Sequence, residues 1–459
     1  MDRTVHVGAM KHENLFARHG LFDARVPRYT SYPPANRFVP MTDAAPTADW
    51  MSAIPSGAKV SFYMHIPFCR RLCWFCACRT QGTKSDTAVE NYLRVLEVEI
   101  HKTARHLTDV IVERVHIGGG TPTLLHPHMI TRLMHAFDAA FDRSKHAEFS
   151  VEIDPTEVDH PRLEAFVAAG MNRASLGVQD FEPKVQAAIG REQSLLQTQT
   201  CMAQLRALGV NSINLDILYG LPFQTKDTLL ATVQKVIDLD PDRIAAFGYA
   251  HVPWMSRRQT MIPEDALPDP RQRLRLFNVL AERLFQAGYI QIGIDHFVKP
   301  KDSLAKALAE HRLHRNFQGY TDDASPWLIG LGASAISKYP KGYLHNATST
   351  SDYLTNIKRG EFATKRGIEM TQSQHLTAAL IEQLMCYGRI DLSRIADETR
   401  LDTSPAVAKL DSLETKFQGL VQRIGDCLHI PLDAYPMLRI IAAHLDNAKV
   451  DTSAHAVAV

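Results

Sequence analysis

The chain has 459 residues, of which 45% are hydrophobic and 22% are charged, and its formal net charge is +1. This composition is that of a globular protein large enough for a catalytic domain and a smaller one. A net charge near zero gives no support to a nucleic-acid or membrane-surface partner, and no apolar run reaches the length of a membrane span.

Residues 1–50 are rich in proline and aromatic residues and have no helical or strand period. Disordered segments usually contain fewer aromatic residues, so we expect an arm that is draped over the chain and covers its functional site. The N-terminus lacks the apolar core of a signal peptide, and seven cysteines are too few, and odd in number, for a disulfide framework. These features predict a cytoplasmic protein.

Between residues 51 and 300, short β-branched runs alternate with amphipathic stretches, which predicts strand–helix units on a parallel sheet. The predicted strands are 60–65, 114–117, 148–153, 173–177, 212–218, 243–249 and 290–294, and the predicted helices are 89–107, 129–141, 194–208, 225–239 and 270–287. A closed barrel needs eight units, and the sequence shows six or seven. The predicted fold is therefore an α/β fold with an incomplete parallel (β/α) barrel.

Residues 301–370 are expected to form a connecting region that contributes to the site. Residues 371–459 have a helical pattern, with predicted helices at 376–386, 404–416 and 435–445, and are expected to form a small C-terminal helical domain. Ser404 is the predicted N-cap of the second of these helices, with Pro405 at its first position.

Four cysteines lie within ten residues after the first predicted strand, in the spacing Cys69-x3-Cys73-x2-Cys76-x-Cys78. A C-x3-C-x2-C loop can place three soft thiolates around one face of a four-iron cluster and leave the fourth iron open. Structural zinc usually takes two separated ligand pairs, and no second pair follows at a suitable distance. The loop favours an iron–sulfur centre, with a zinc-stabilised interaction protein as the alternative.

Polar residues follow the other predicted strands, where an α/β barrel keeps its active site. The glycine run 118–120 permits close approach of the backbone to a ligand, and Glu152 and Asp216 are suited to accept hydrogen bonds from ribose or ammonium groups. Arg191 can bind a carboxylate, and Gln179 offers both a donor and an acceptor. Each alone could be a helix cap or a local ion pair, but together they predict a pocket for a zwitterionic nucleoside.

Several segments together resemble the oxygen-independent coproporphyrinogen III oxidases of the radical S-adenosylmethionine (SAM) superfamily. They are residues 26–33, 63–78, 118–123, 151–155, 175–180, 216–222, 249–251, 314–320 and 335–337. The resemblance covers nearly the whole chain, including the arm. The related haem chaperones typically lack the arm and a counterpart of Cys78, whereas Ala77 stands where many family members have glycine.

The resemblance implies that Cys69, Cys73 and Cys76 bind a [4Fe–4S] cluster and that Cys78 acts as a catalytic residue near the substrate without binding the cluster. It also implies two bound SAM molecules. The positions that match the SAM-binding pattern of the family are Tyr63, Phe75, Gly119, Gly120, Thr121, Glu152, Gln179, Arg191, Asp216, Ala250 and Ile336.

The activity implied by the resemblance is conversion of two propionates of coproporphyrinogen III to vinyl groups, giving protoporphyrinogen IX by way of a 5′-deoxyadenosyl radical. Arg25, Arg28 and Arg315 are candidate partners of the substrate carboxylates, with surface ion pairs as the alternative. A monomer with an unidentified electron donor and acceptor is expected. Two other functions stay open here, a haem-carrying relative without oxidase activity and a radical SAM enzyme with another substrate.

Overall fold

The computed structural model describes residues 12–41, 46–446 and 456–459. Its dominant feature is a sheet of 13 strands, and three smaller sheets contain the other seven strands. The strands are β1 Val39–Pro40, β2 Lys59–Ile66, β3 Phe68–Cys69, β4 Gln81–Gly82, β5 Ile111–Gly119, β6 Asp142–Ile153, β7 Arg173–Gln179, β8 Ser212–Tyr219, β9 Arg243–Gly248, β10 Ile290–Ile292, β11 His296–Val298, β12 His314–Asn316, β13 Gly319–Thr321, β14 Trp327–Leu331, β15 Ile336–Tyr339, β16 Gly342–Asn346, β17 Thr364–Glu369, β18 Arg389–Asp391, β19 Gln422–Ile424 and β20 Cys427–His429.

The centre of the large sheet is a run of seven parallel strands in the order β14-β2-β5-β6-β7-β8-β9. Antiparallel strands extend it on both sides, β15, β16, β17 and β1 beyond β14, and β11 and β10 beyond β9. In the residues that the structure describes, the sheet has two separate ends and is not closed. This arrangement confirms the predicted incomplete parallel barrel.

One predicted parallel strand is wrong. Residues 290–294 were expected to form the last parallel strand, but β10 covers only Ile290–Ile292 and pairs antiparallel with β11 in a hairpin at the edge. The seventh parallel strand is instead β14, which lies beside β2 at the other side of the barrel. Its sequence, Trp-Leu-Ile-Gly-Leu, is a short apolar run in which periodicity alone does not distinguish a strand from a helix.

Helices connect the parallel strands and cover the outer face of the sheet. The α-helices are α1 Glu13–Arg18, α2 Pro46–Ser52, α3 Asp86–Ala104, α4 Pro127–Asp138, α5 His160–Ala168, α6 Pro183–Ala188, α7 Leu195–Ala207, α8 Lys226–Asp238, α9 Pro270–Gln286, α10 Ser303–Ala309, α11 Thr350–Lys358, α12 Gln372–Tyr387, α13 Leu392–Thr399, α14 Ser404–Lys416 and α15 Leu438–Leu445. Side-chain caps start many of them, for example Ser194 at α7 and Asp269 at α9. The predicted cap at Ser404 is wrong, because Ser404 is the first helical residue and donates to the preceding Asp402.

Two large hydrophobic cores fill the molecule. The first lies between the parallel strands and their helices, and the second joins the C-terminal helices to the N-terminal segment through buried residues such as Phe16, Leu21 and Tyr29. The N-terminal segment has more regular structure than its sequence predicts, since α1 and a 3-10 helix at Ala35–Arg37 lie within it. The C-terminal part also contains the three-stranded sheet β18-β20-β19 beside its helices.

A buried carboxylate ties the outer helix α3 to the turn after β14. Glu99 accepts hydrogen bonds from the Gly332 N–H at 2.7 Å, the Tyr353 hydroxyl at 2.8 Å and the Asn346 amide at 2.9 Å. Burial nevertheless raises the pKa of Glu99 to about 7. The folded protein therefore holds this proton more tightly than the unfolded chain does.

The native protein is expected to become less stable as the pH rises from about 5 to about 8, and we expect Glu99→Gln to abolish this pH dependence. Because the pKa of Glu99 is higher in the folded protein than in the unfolded chain, folding binds a proton in this window. The free energy of unfolding therefore falls by up to about 3 kcal/mol as the pH rises through it. Urea unfolding across this window measures the effect. Glu97→Gln, on the same helix and paired with Arg132, is the control; a parallel decline in both variants would contradict the assignment.

Within the described ranges, no helix is both long enough and apolar enough to cross a membrane.

Candidate active site

The cysteine loop begins where β2 ends, at the carboxyl edge of the parallel strands. Its base is held by β3 and β4, which pair in parallel and place Cys69 opposite Gly82. Two further backbone hydrogen bonds cross the base, from the Gln81 N–H to the Pro67 carbonyl at 2.7 Å and from the Thr83 N–H to the Cys69 carbonyl at 3.0 Å. The sequence between the two short strands is therefore held as a closed loop that carries all four cysteines.

The thiols of this loop are free and lie beside a buried cation. Nη1 of Arg191 is 3.6 Å from Sγ of Cys73 and 3.0 Å from the Asp154 carboxylate. Burial raises the pKa of the Cys69 thiol to about 11 even though the Thr121 side chain hydrogen-bonds to it. Three free thiols on one loop, next to a guanidinium that can balance negative charge, are a suitable donor set for an iron–sulfur cluster.

Cys76 and Cys78 lie on the outer side of the loop. The Cys78 thiol donates a hydrogen bond to Cys76, which lowers the pKa of Cys76 and raises that of Cys78. Cys78 is exposed, whereas Cys73 is buried. The fourth cysteine thus differs from the other three in having access to the space outside the loop.

The glycine run at the end of β5 packs closely against neighbouring protein atoms. A Cβ on Gly118 would lie 2.5 Å from a Glu152 oxygen, and one on Gly119 would lie 2.4 Å from the His65 ring. A Cβ on Gly120 would lie 2.4 Å from the backbone oxygen of Phe68 in β3. The glycines were predicted to allow approach of a ligand; the structure shows that they also allow β5, β6 and the cysteine loop to come together.

Two predicted carboxylates, in strands separated by β7, line one cavity in the barrel. Glu152, in β6, accepts a hydrogen bond from the Gly119 N–H at 2.9 Å and lies 3.2 Å from Nε2 of His116. Although its burial opposes ionisation, these contacts hold the pKa of Glu152 below its ordinary value. Asp216, in β8, accepts from Ser175 and Asn214, and burial raises its pKa to about 6.

Gln179 and Arg191 converge on the end of β7. Gln179 adopts a left-handed backbone conformation, with φ of 69°, where the register between β7 and β8 shifts. Arg191 donates to the Gly177 carbonyl at 2.8 Å, and its Nε is buried without a partner in the described residues. Oδ1 of Asn214 is also buried and has no hydrogen-bond partner among the described residues. Such orphaned polar atoms fit a site that a polar ligand completes.

The remaining predicted SAM residues have the following contacts. Tyr63 stacks on the His116 ring at 5.7 Å, Phe75 is part of a hydrophobic cluster below the loop, and Thr121 hydrogen-bonds to Cys69. The Ala250 carbonyl and the Phe75 carbonyl both accept from one Gln259 amide, at 3.1 and 2.8 Å. Ile336 begins β15, and its backbone closely faces Gly330 in β14.

The three predicted substrate arginines do not lie together. Arg28 and Arg315 line one cavity, where Arg28 donates to the Gly248 carbonyl at 2.6 Å and Arg315 to the Tyr29 carbonyl at 2.7 Å. Arg25 instead stacks on Trp254, with its guanidinium carbon 5.3 Å from the ring centroid. Two further arginines of the cavity, Arg273 and Arg439, lie in helices without a motif, so no sequence signal distinguishes them from surface residues.

An open parallel sheet with a three-cysteine loop after β2 and a carboxylate at the end of β6 defines the radical SAM class of fold. A family model described as the radical SAM superfamily matches residues 63–236. The chain belongs, within this superfamily, to the family of oxygen-independent coproporphyrinogen III oxidases, as its full-length relatives show. Membership implies a [4Fe–4S] cluster and SAM, and the free thiols and orphaned polar atoms described above fit both groups.

The relatives match along almost their entire length. A protein of Paracoccus denitrificans named oxygen-independent coproporphyrinogen III oxidase is 46% identical over 98% of this chain and 100% of its own. A protein of the same name from Cereibacter sphaeroides is 48% identical over 94% of this chain and 96% of its own. The solved structure of coproporphyrinogen III oxidase from Escherichia coli, described as a radical SAM enzyme, has a TM-score of 0.87 and 35% identity, covering 92% of this chain and 97% of its own.

Proposed function

We propose that this protein is a radical SAM oxidoreductase that converts two propionate side chains of coproporphyrinogen III to vinyl groups without oxygen, giving protoporphyrinogen IX for haem synthesis. The observation that carries this proposal is similarity of 46% identity over 98% of the chain to an enzyme of that name. Each conversion removes one hydrogen atom from the propionate β-carbon, releases the carboxyl group as carbon dioxide, and passes one electron to an acceptor. Nothing in the molecule favours the haem-carrier alternative.

When bound, the cluster and SAM together supply one-electron chemistry that removes a hydrogen atom from an unactivated carbon. The proposed role of Cys69, Cys73 and Cys76 is to bind three irons, with Arg191 balancing charge beside Cys73. The proposed role of Glu152 and Asp216 is to accept hydrogen bonds from the ammonium and ribose groups of SAM. Tyr63, Phe75, Gly119, Gly120, Thr121, Gln179, Ala250 and Ile336 are the proposed remaining SAM contacts.

The proposal also assigns a lid over the reaction chamber and a cysteine that acts on the substrate. Residues 1–50 are the proposed lid, of which residues 1–11 and 42–45 lie outside the described part of the chain. In the described part, Arg37 forms an ion pair with Asp446, and the Tyr29 and Tyr32 hydroxyls donate to the same carboxylate. Cys78 is the proposed catalytic residue at the substrate, since it alone of the four cysteines is exposed. Exclusion of water from such a chamber protects a reactive carbon radical from side reactions.

The remaining parts of the proposal concern the number of SAM molecules, the electron partners, the compartment and the domain organisation. The number of two bound SAM molecules is proposed because the family resemblance implies it. An external donor and acceptor of electrons are required, and a reducing cytoplasm suits free thiols and an iron–sulfur centre. We propose a monomer in which residues 51–300 form the barrel together with β14, the rest of 301–370 contributes to the site and 371–459 form the C-terminal domain.

Anaerobic turnover tests the function. Cluster-reconstituted protein is incubated with SAM, a low-potential reductant and coproporphyrinogen III, and the products are read by mass spectrometry. Loss of two carboxyl groups, with one 5′-deoxyadenosine for each, is the expected result. Formation of deoxyadenosine with an unchanged tetrapyrrole would show that the substrate is wrong, and stoichiometric haem binding without either product would favour the carrier.

A further inference from the structure

A cavity of about 160 Å³ beneath the N-terminal segment is lined by four arginines from four separate parts of the chain. Arg28 comes from the N-terminal segment, Arg273 from α9, Arg315 from β12 and Arg439 from α15. Residues 456–459 also line it. Arg28 is exposed and the other three are half-buried, and four guanidiniums around one small space are a marked concentration of positive charge.

The hydrogen bonds of these arginines do not neutralise them. Arg439 donates to the carbonyls of Val26 at 2.7 Å and Ala458 at 2.8 Å, and Arg273 donates to the Tyr249 carbonyl at 2.6 Å. Within the described residues, none of the four forms an ion pair. A carbonyl satisfies one N–H of a guanidinium but leaves its full charge uncompensated.

Charge in the cavity is strongly one-sided. Asp295 is the one acidic side chain among the lining residues that the structure describes, and its oxygen lies 2.7 Å from Nδ1 of His296, which makes it a shared partner. Val459, the last residue of the printed sequence, adds a backbone carboxylate to the lining, so four guanidiniums share the cavity with two carboxylates. Burial, followed by repulsion from the other arginines, lowers the pKa of Arg439 to about 9. Nε of Arg273 and Nε of Arg315 are buried without a partner in the described residues. An anion in the cavity would remove both the repulsion and the unmade hydrogen bonds.

An alternative role is structural, since two of the arginines, Arg315 and Arg439, hold the backbone of residues 26–29. That role uses at most three of the five N–H donors of a guanidinium, as in Arg439, and neutral amides would fill it at lower electrostatic cost. The charge is therefore the feature that a structural role leaves unexplained.

The other residues that line the cavity indicate which kind of ligand it can hold. Phe247, Phe277 and Phe317 are apolar, and Phe247, His296 and Gln318 also line the cavity of about 190 Å³ that contains Glu152 and Asp216. A ligand with an apolar body and several carboxylates could thus reach from the arginines into the barrel. The arginine cavity is too small for a tetrapyrrole ring but is suited to its carboxylate side chains.

We propose that Arg28, Arg273, Arg315 and Arg439 bind the carboxylates of the tetrapyrrole that do not react, and so turn the reacting propionates toward the barrel. This inference rests on the proposed function and adds Arg273 and Arg439 to the site. Guanidinium forks bind carboxylates in a bidentate manner, which fixes orientation as well as affinity. The four arginines act as positioning residues.

The test compares Arg273→Gln and Arg439→Gln with Arg275→Gln, a control on the outer side of α9 whose side chain is 61% exposed. Coproporphyrin III, the stable oxidised tetracarboxylate, is titrated into the cluster-loaded full chain and followed by fluorescence. Loss of one charged hydrogen-bond partner is expected to weaken its binding by about tenfold or more, with little change in the control. KM for coproporphyrinogen III should rise in parallel, while cluster content and SAM affinity stay those of the wild type.

A second pair of variants separates binding from folding. Arg439→Lys retains the charge and should recover part of the affinity that Arg439→Gln loses, whereas a structural role predicts equal loss of thermal stability and no such recovery. Unchanged coproporphyrin binding in both glutamine variants would overturn the proposal. If wild-type protein binds coproporphyrin III tightly through these arginines but never decarboxylates the porphyrinogen, the oxidase assignment fails and the carboxylate site stands.

Discussion

Cys73→Ala is expected to leave the protein folded but without a stable cluster and without detectable formation of 5′-deoxyadenosine. Cys73 is the buried member of the loop and lies between its two other proposed ligands. Its loss leaves two thiolates for a cluster that needs three protein ligands. It also removes the sulfur that lies 3.6 Å from Nη1 of Arg191 in the native protein. Iron and sulfide content, visible absorption and deoxyadenosine yield after reconstitution measure the result.

The matched control is Cys427→Ala, in the small sheet of the C-terminal part. Cys427 is also a free thiol beside a guanidinium, since Nε of Arg389 lies 2.7 Å from its sulfur, but it is remote in the fold from the cysteine loop. This variant should keep the iron content and the deoxyadenosine yield of the wild type. A cluster of normal stoichiometry in Cys73→Ala would exclude Cys73 as a ligand and reopen the identity of the third ligand.

Much of the barrel was predictable because its signals are local. Six parallel strands were predicted near their observed positions, since each is a short β-branched run between amphipathic helices. The failures have a common cause, as β14 and β10 are short apolar segments whose partners lie far away in sequence. Nothing within either segment indicates which edge of the sheet it joins or in which direction it runs.

The candidate site also has one part that the sequence predicts and one part that it does not. The cysteine loop is a single segment whose spacing indicates its chemistry, so it can be found without a structure. The arginine cavity draws one residue from each of four segments, and the most distant two, Arg28 and Arg439, are separated by most of the chain. Arg273 and Arg439 belong to amphipathic helices in which an arginine is unremarkable. Only tertiary packing brings these charges together.

Gly120→Ala should reduce deoxyadenosine formation by at least about a hundredfold, because the new methyl group would displace the cysteine loop. Its Cβ would lie 2.4 Å from the Phe68 oxygen and 2.9 Å from the Ile66 oxygen, and both are backbone atoms that cannot rotate away. The N–H groups of Gly120 and Thr121 donate to these same two carbonyls, each at 2.8 Å. Relief of the clash therefore moves the strand that ends in Cys69 and breaks the hydrogen bonds that position it.

Gly82→Ala is the control for this steric argument, because Gly82 pairs with Cys69 in the same loop. A Cβ there would lie 3.3 Å from the end of the Leu72 side chain, which can turn aside, so activity should stay close to that of the wild type. Cluster content and SAM affinity, measured separately in both variants, then locate the defect of Gly120→Ala at the cluster, at SAM or at both. Normal turnover by Gly120→Ala would mean that the loop tolerates displacement and that the contact between β5 and β3 does not position the cluster ligands.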